Sequence, residues 1–318
     1  MSDTRALSHL AFQAVRAAED AAIAAYDWIG LGEKESADQA AVDALRTGLN
    51  AMEMRGRIVI GEGERDEAPM LFIGEEVGTG SGPEIDIALD PLEGTTLTAK
   101  GMENALAVLS LSPRGELLHA PDTYMDKIAV GPGYPAGVID LDASPEDNVK
   151  SLAKAKNCPT SQITVCILER ERHQFIVDGV KAAGARVRMI PEGDVAGLMG
   201  AAGLGAGADM YIGRGGAPEG VLAASALRCI GGQMQTRLHF RTDDERDRAR
   251  RIGVTDLDRK YDLKEMASGH CIFIAAGVTD GDLVDGVKVS NGQVHTHTML
   301  LDSADQSVRR IRSTRPHG

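Results

Sequence analysis

The segment DIALDPLEGTT, Asp86 to Thr96, gathers residue types that can do chemistry. A run of Ile and Leu leads into Asp90, then Pro91, Glu93, Gly94 and Thr95. An acid at the end of a buried strand is costly unless it is paired or binds a cation. Proline stops the ladder and glycine lets the chain turn tightly, which brings Asp90 and Glu93 toward one point as hard oxygen ligands. Glu62 follows another apolar run, RIVI, beside glycines. Two strands ending in carboxylates suggest ligands converging at one sheet edge, where sites in open α/β sheets lie. Asp-Pro and Glu-Gly after a strand are also common turn signatures. The full pattern, apolar-D-P-x-E-G-T, is sharper, because Thr95 adds a hydroxyl that turn chemistry alone does not require.

Such residues need elements to hold them. Residues 3–29 carry Leu7, Leu10, Ala14, Ala17, Ala21, Ala25 and Trp28 at spacings of three and four, which predicts a long amphipathic helix. Ser36 and Gln39 have capping-box spacing, so a second helix is expected to start near Ser36. Strands are expected at 57–64 and 84–91, and a hairpin over 105–118 with its turn at PRGE. Further on, strands at 137–142, 163–169, 185–191 and 209–214 alternate with helices at 145–156, 172–183, 194–202 and 218–230. Ser144 and Pro145 mark the start of the first of those helices. This alternation argues for a layered α/β fold. A charged helix at 242–252 follows, then strands at 270–277, 293–301 and 307–313. Two subdomains, roughly 1–135 and 136–318, are expected within a single unit spanning 1–318.

Composition narrows the function. The chain has 318 residues and a net charge of −13, with 43% hydrophobic residues. That apolar fraction is too high for disorder. No apolar run is long enough to span a membrane. The acidity disfavours bulk nucleic-acid binding. The start shows no secretory pattern. Cys158, Cys166, Cys229 and Cys271 form no CxxC motif. They read as buried thiols of a cytoplasmic protein.

DPLEGT resembles the metal motif of the lithium-sensitive phosphatases, which include inositol monophosphatases and fructose bisphosphatases. The chain is closest to one branch, the bacterial class II fructose-1,6-bisphosphatases. The pieces that carry the resemblance are KESADQAAVDALR (34–46), IVIGEGERDEAPML (58–71), IDIALDPLEGT (85–95), NALAVL (104–109), APDTYMDK (120–127), IPEGDVA (190–196) and GGAPEGV (215–221), in order along the chain.

The resemblance implies an αβαβα sandwich of the sugar-phosphatase type and metal binding by Asp38, Glu62, Asp90, Glu93 and Glu219. Oxygen-only ligation suits Mn²⁺ or Mg²⁺. It implies catalytic roles for Thr95, Asp38 and Lys34, with Thr95 orienting the attacking water beside Asp38. Substrate contacts are implied for Glu93, Gly94, Thr95, Tyr124, Arg170, Glu171, Arg172, Glu192, Gly193, Asp194 and Gly216. Arg170 and Arg172, two residues apart at a strand exit, are expected to point the same way and grip a phosphate. Asp194 would accept from sugar hydroxyls, and Gly215 and Gly216 would let the backbone approach the ligand.

The expected reaction is hydrolysis of the 1-phosphate of fructose 1,6-bisphosphate, in gluconeogenesis or a carbon-fixation cycle, by a homodimer or homotetramer. Alternatives are added action on sedoheptulose 1,7-bisphosphate, an inositol-phosphate phosphatase, or an inactive sugar-phosphate sensor. GAAGLGAGAD (200–209) precedes a strand and lacks GxGxxG spacing, so it reads as a connection. His295 and His297 read as surface or interface residues, and RRIRSTR as a solvated strand or subunit contact.

Overall fold

The computed structural model describes residues 4–63, 70–205 and 207–317. The expected first helix begins at Asp3, and the strand over 57–64 ends at Glu64. Both of those ends lie outside the described residues. The chain divides into two compact units, Met1–Leu118 with Ala267–Gly318, and His119–Met266. The single cut expected near residue 135 is therefore corrected. The last strands return to the first unit's sheet, because their apolar faces complete it.

In chain order the first unit opens with α1 (Thr4–Tyr26), α2 (Lys34–Asn50), β1 (Arg55–Ile60), β2 (Glu76–Val77), β3 (Glu84–Glu93), α3 (Thr95–Ala99) and β4 (Leu106–Pro113). The second unit holds β5 (Tyr124–Val130), α4 (Pro145–Lys156), β6 (Thr164–Leu168), α5 (Gln174–Ala182), β7 (Arg186–Ile190), α6 (Asp194–Ala201), β8 (Met210–Gly216), α7 (Ala217–Ile230), β9 (Gln233–His239), α8 (Asp243–Arg251), β10 (Lys260–Asp262) and α9 (Leu263–Met266). The chain then returns through β11 (Ile272–Gly277), β12 (Lys288–Ser290), β13 (Gln293–Asp302) and β14 (Ser307–Pro316). Each unit is thus α/β with a mixed sheet, as the helix–strand alternation predicts.

The first unit's sheet runs β12-β13-β11-β4-β3-β1-β2, with β14 also on β13. Among the described residues of this sheet, only β1 and β3 pair in parallel. The alanines of α1 explain its closeness to α2. A Cβ added at Gly48 would stand 2.6 Å from the Cβ of Ala17. Small residues let the two helices pack tightly before Leu7, Leu45 and Leu49 fill the core over the sheet. The start of α2 corrects the capping-box expectation. It begins at Lys34, and Glu33 precedes it without a side-chain cap.

Strand β3 continues through Pro91 to Glu93, where the proline was expected to end the ladder. A register shift between Asp90 and Glu93 absorbs the change, and pairing with β1 has already stopped at Ala88. The missing proline N–H therefore costs no ladder bond. Earlier on the same strand, buried Asp86 is held by Arg57 at 3.1 Å and by the N–H of Gly115 at 2.7 Å. The expected hairpin at 105–118 does not form. β4 pairs with β3 and β11, and Leu117 makes only an isolated bridge to Ala267.

The second unit's sheet runs β10-β9-β5-β8-β6-β7. One face, with Ile128, Val165, Ile167 and Ile212, packs on Val149, Leu152, Ile176 and Val180 of α4 and α5. On the other face α7 lies close to β5, since a Cβ on Gly220 would meet Met125 Sδ at 2.5 Å. Ser144 caps α4 as predicted, its Oγ accepting the N–H of Asp147 at 3.1 Å, an interaction worth about 1 kcal/mol. The strand expected at 137–142 is irregular chain, whereas β5 and β9 were not foreseen. Lys127, fully buried inside β5, hid that strand's apolar alternation. Cys166, Cys229 and Cys271 are buried free thiols, as expected, while Cys158 is half-buried. His297 is buried, contrary to the surface reading, with its Nδ1 accepting the N–H of Asp285 at 3.0 Å. Among the described residues no helix is long and apolar enough to cross a membrane.

Candidate active site

In the first unit, the parallel pairing of β1 and β3 sends the segments carrying Glu62 and Asp90 off the same sheet edge. The acids of DPLEGT have different local partners. Asp90 Oδ1 accepts the N–H of Leu92 at 3.0 Å, and Glu93 is drawn into the ladder opposite Leu106 with 3% exposure. Gly94 then adopts φ 90, the left-handed region that glycine favours, and a Cβ there would meet Leu97 Cδ1 at 2.8 Å. This turn launches α3, with half-buried Thr95 as its first residue.

Lys34 and Asp38 lie one turn apart on α2. Lys34 Nζ donates to Thr96 Oγ1 at 2.6 Å, and the N–H groups of Gly30 and Gly32 donate to Thr98 O and Ala99 O at 2.9 Å. The start of α2 is thereby tied to the DPLEGT turn, 62 residues away for the lysine. The expected pairing of Thr95 with Asp38 is not formed. The hydroxyl engaged is that of Thr96, which sequence reasoning missed. Asp38 is half-buried, and burial holds its carboxyl above the usual range.

Among the described residues no group of three or more His, Cys, Asp and Glu side chains is arranged to hold a metal ion. The donors of this unit nevertheless fit a hard divalent cation in kind. They offer carboxylate oxygens only, and Asp38 is partly withdrawn from water with no ion pair among the described residues.

In the second unit Asp194 is internally paired. Lys127 Nζ donates to Asp194 Oδ2 and, at 2.7 Å, to Gly216 O. Buried Tyr211 donates its hydroxyl to Asp194 Oδ1. Asp194, expected to face sugar hydroxyls, thus has both oxygens engaged by internal donors. Burial and the neighbouring Asp194 charge push the Tyr211 phenol well above its usual range. Half-buried Glu219, in the first turn of α7, is raised by burial against the opposing pull of Lys127. The glycines ahead of α7 make room for these carboxylates. A Cβ on Gly215 would stand 2.1 Å from Asp194 Oδ2, and one on Gly216 would stand 2.0 Å from Glu219 Oε2. Lys127 and Tyr211 were missed from sequence. The available signal was a lysine inside the strand-like run YMDKIAV.

The two arginines after β6 part company. Exposed Arg170 donates to Glu169 O and Pro191 O, both at 2.8 Å, on the β7 side. Arg172 donates to Arg214 O at 2.8 Å, on the β8 side. Their expected common direction is corrected by a 3-10 turn at Glu171–His173, which replaces the strand exit. Buried His173 fastens that turn. Its Nδ1 lies 2.8 Å from Leu168 O, and its Nε2 accepts the N–H of Arg214 at 2.9 Å. These contacts specify a neutral ring with the proton on Nδ1, and burial lowers its affinity for a second proton. Half-buried Tyr124 has the Arg172 guanidinium 4.9 Å from its ring centroid. Glu171 is exposed, Glu192 is half-buried, and Gly193 (φ 89) opens α6.

Residues 8–315 match the family described as bacterial fructose-1,6-bisphosphatase, glpX-encoded. The chain is 42% identical over 325 residues to a D-fructose 1,6-bisphosphatase class 2/sedoheptulose 1,7-bisphosphatase of Synechococcus sp. (strain JA-2-3B'a(2-13)), covering 94% of this chain and 93% of that protein. It is 42% identical over 305 residues to the protein of the same description from Prochlorococcus marinus (strain NATL1A), covering 92% and 91%. Among solved structures, the extragenic suppressor protein suhB from Bartonella henselae is similar at TM-score 0.35 and 12% identity, over 60% of this chain and 70% of its own.

Proposed function

The chain belongs to the bacterial glpX-type fructose-1,6-bisphosphatase family, and from that premise we propose that it hydrolyses the 1-phosphate of fructose 1,6-bisphosphate to fructose 6-phosphate and phosphate. The observation that carries this reading is the match across residues 8–315 to that family. The tie from Lys34 to Thr96 supports it, because it draws the proposed catalytic residues of α2 to the DPLEGT turn. Membership of the family implies dependence on a divalent metal. Asp38, Glu62, Asp90 and Glu93 are the residues proposed to hold it, and Mn²⁺ or Mg²⁺ suits their oxygens. When bound, such a cation neutralises phosphoryl charge and acidifies water.

The chain's own residues supply position. Thr95 has its hydroxyl free among the described residues and orients the attacking water. Lys34 holds the neighbouring Thr96 and keeps the turn in register with α2. Arg172 and Tyr124 bind the phosphate that is not hydrolysed, while Gly94, Glu192 and Gly193 shape the backbone around the sugar. Action on sedoheptulose 1,7-bisphosphate as well is a second reading, favoured by the description of both relatives. A cytoplasmic homodimer or homotetramer completes the proposal.

Purified protein with Mn²⁺ or Mg²⁺ is expected to release phosphate from fructose 1,6-bisphosphate, and EDTA to stop it. Absence of release from every sugar bisphosphate tried would overturn the reading. The ratio of kcat/KM for the six- and seven-carbon substrates decides between the two readings.

A further inference from the structure

Tyr124 carries a second guanidinium that lies far from the first in sequence. Arg241 stands 4.5 Å from the ring centroid, closer than Arg172 at 4.9 Å. Arg214, the third arginine here, is neutralised by Asp126 through contacts of 2.7 and 3.1 Å. Arg241 is paired with Glu245, its Nε donating at 2.7 Å. Among the described residues Arg172 has no carboxylate partner, and its Nε is buried without a hydrogen bond. Arg172 therefore brings a guanidinium outside any ion pair of the described residues and one orphaned donor, which an anion would satisfy.

Arg241 is also held ready. Glu245 Oε2 accepts from the Arg241 N–H at 2.5 Å and from Thr123 Oγ1 at 3.0 Å, so the carboxylate that grips the guanidinium is itself fixed. Turning Nε and Nη2 toward Glu245 leaves the Nη1 edge of a half-exposed side chain available. Arg170, by contrast, spends its Nη1 on the backbone carbonyls of residues 169 and 191.

We propose that Arg241, together with Arg172, which stands over the same Tyr124 ring, grips the substrate phosphate that is not hydrolysed, and that Arg170 does not. This rests on the bisphosphatase reading and names the residues that recognise the distal phosphate.

The test compares R241A, R241K and R170A on two substrates, fructose 1,6-bisphosphate and fructose 1-phosphate. R241A is expected to lower kcat/KM for the bisphosphate about 10- to 100-fold, the loss of a charge-assisted contact, and to leave fructose 1-phosphate turnover unchanged. R241K, which keeps the charge without the fork, should fall between, and R170A should match the wild type on both substrates. Equal losses on both substrates for R241A would mark a structural role and overturn the proposal, as would wild-type behaviour of R241A or a bisphosphate-specific loss in R170A. If the wild type hydrolyses neither substrate, the bisphosphatase reading fails by itself. Calorimetric titration with fructose 6-phosphate then decides for Arg241. At least about tenfold weaker binding by R241A supports the proposal, and equal binding, or none by the wild type, overturns it.

Discussion

Asp38 and Asp194 both sit near the start of a helix, one in each unit, yet they live in opposite electrostatic settings. Asp194 is almost fully buried and surrounded by donors, with Lys127 on one oxygen and Tyr211 on the other. Asp38 is half-buried with no such company among the described residues, and burial raises its carboxyl. A buried acid that brings its own cation is architecture. A buried acid without one leaves a place for a cation from outside. The difference assigns Asp194 to holding β5, β8 and α6 together, and leaves Asp38 as the better metal candidate.

The strongest way to break this contrast is to remove the cation from the paired side. Lys127→Met leaves Asp194 and Glu219 facing each other without Lys127, and should cost about 3–5 kcal/mol of stability, read from the denaturant midpoint. Asp38→Asn should leave stability unchanged or slightly raised while activity falls at least tenfold. Equal stability losses in the two variants would erase the distinction.

A smaller effect is expected at His173, which joins β6 to β8 through two hydrogen bonds. His173→Ala should cost about 2 kcal/mol and raise KM more than it lowers kcat, because the turn carrying Arg172 loses its anchor. An unchanged KM would free Arg172 from that dependence.

The smallest effect concerns pH. Burial pushes the Glu245 carboxyl up, but the side-chain and backbone hydrogen bonds from Arg241 and the one from Thr123 together outweigh it and hold it down to about 2. Its folded value lies below the ordinary 4.5. Its contribution is therefore complete above that ordinary value and is lost as pH falls toward about 2. Glu245→Gln should flatten this part of the stability profile, measured by denaturant titration at pH 5 and pH 3. An unaltered slope would remove Glu245 from the account.

What was legible depended on distance along the chain. The Ser144 cap, the alanine-rich α1 and the DPLEGT turn each declare themselves within a few residues, where steric and capping rules act. The strand β5 was illegible because Lys127 breaks its apolar pattern, and the partner that makes that lysine tolerable, Asp194, lies 67 residues away. The supposed pair Arg170 and Arg172 misled for the same reason. Their spacing is local, but their directions are set by Pro191 and Arg214 on neighbouring strands.

By itself, then, the amino-acid sequence determined the family, the α/β class and the acids of the DPLEGT turn, since motif order and short-range periodicity are written in consecutive residues. Only the tertiary structure decided which acids are already neutralised, which hydroxyl Lys34 takes and which guanidiniums share the Tyr124 ring. Those outcomes depend on burial and on partners brought together by strand pairing, and charge compensation is a property of neighbours in space.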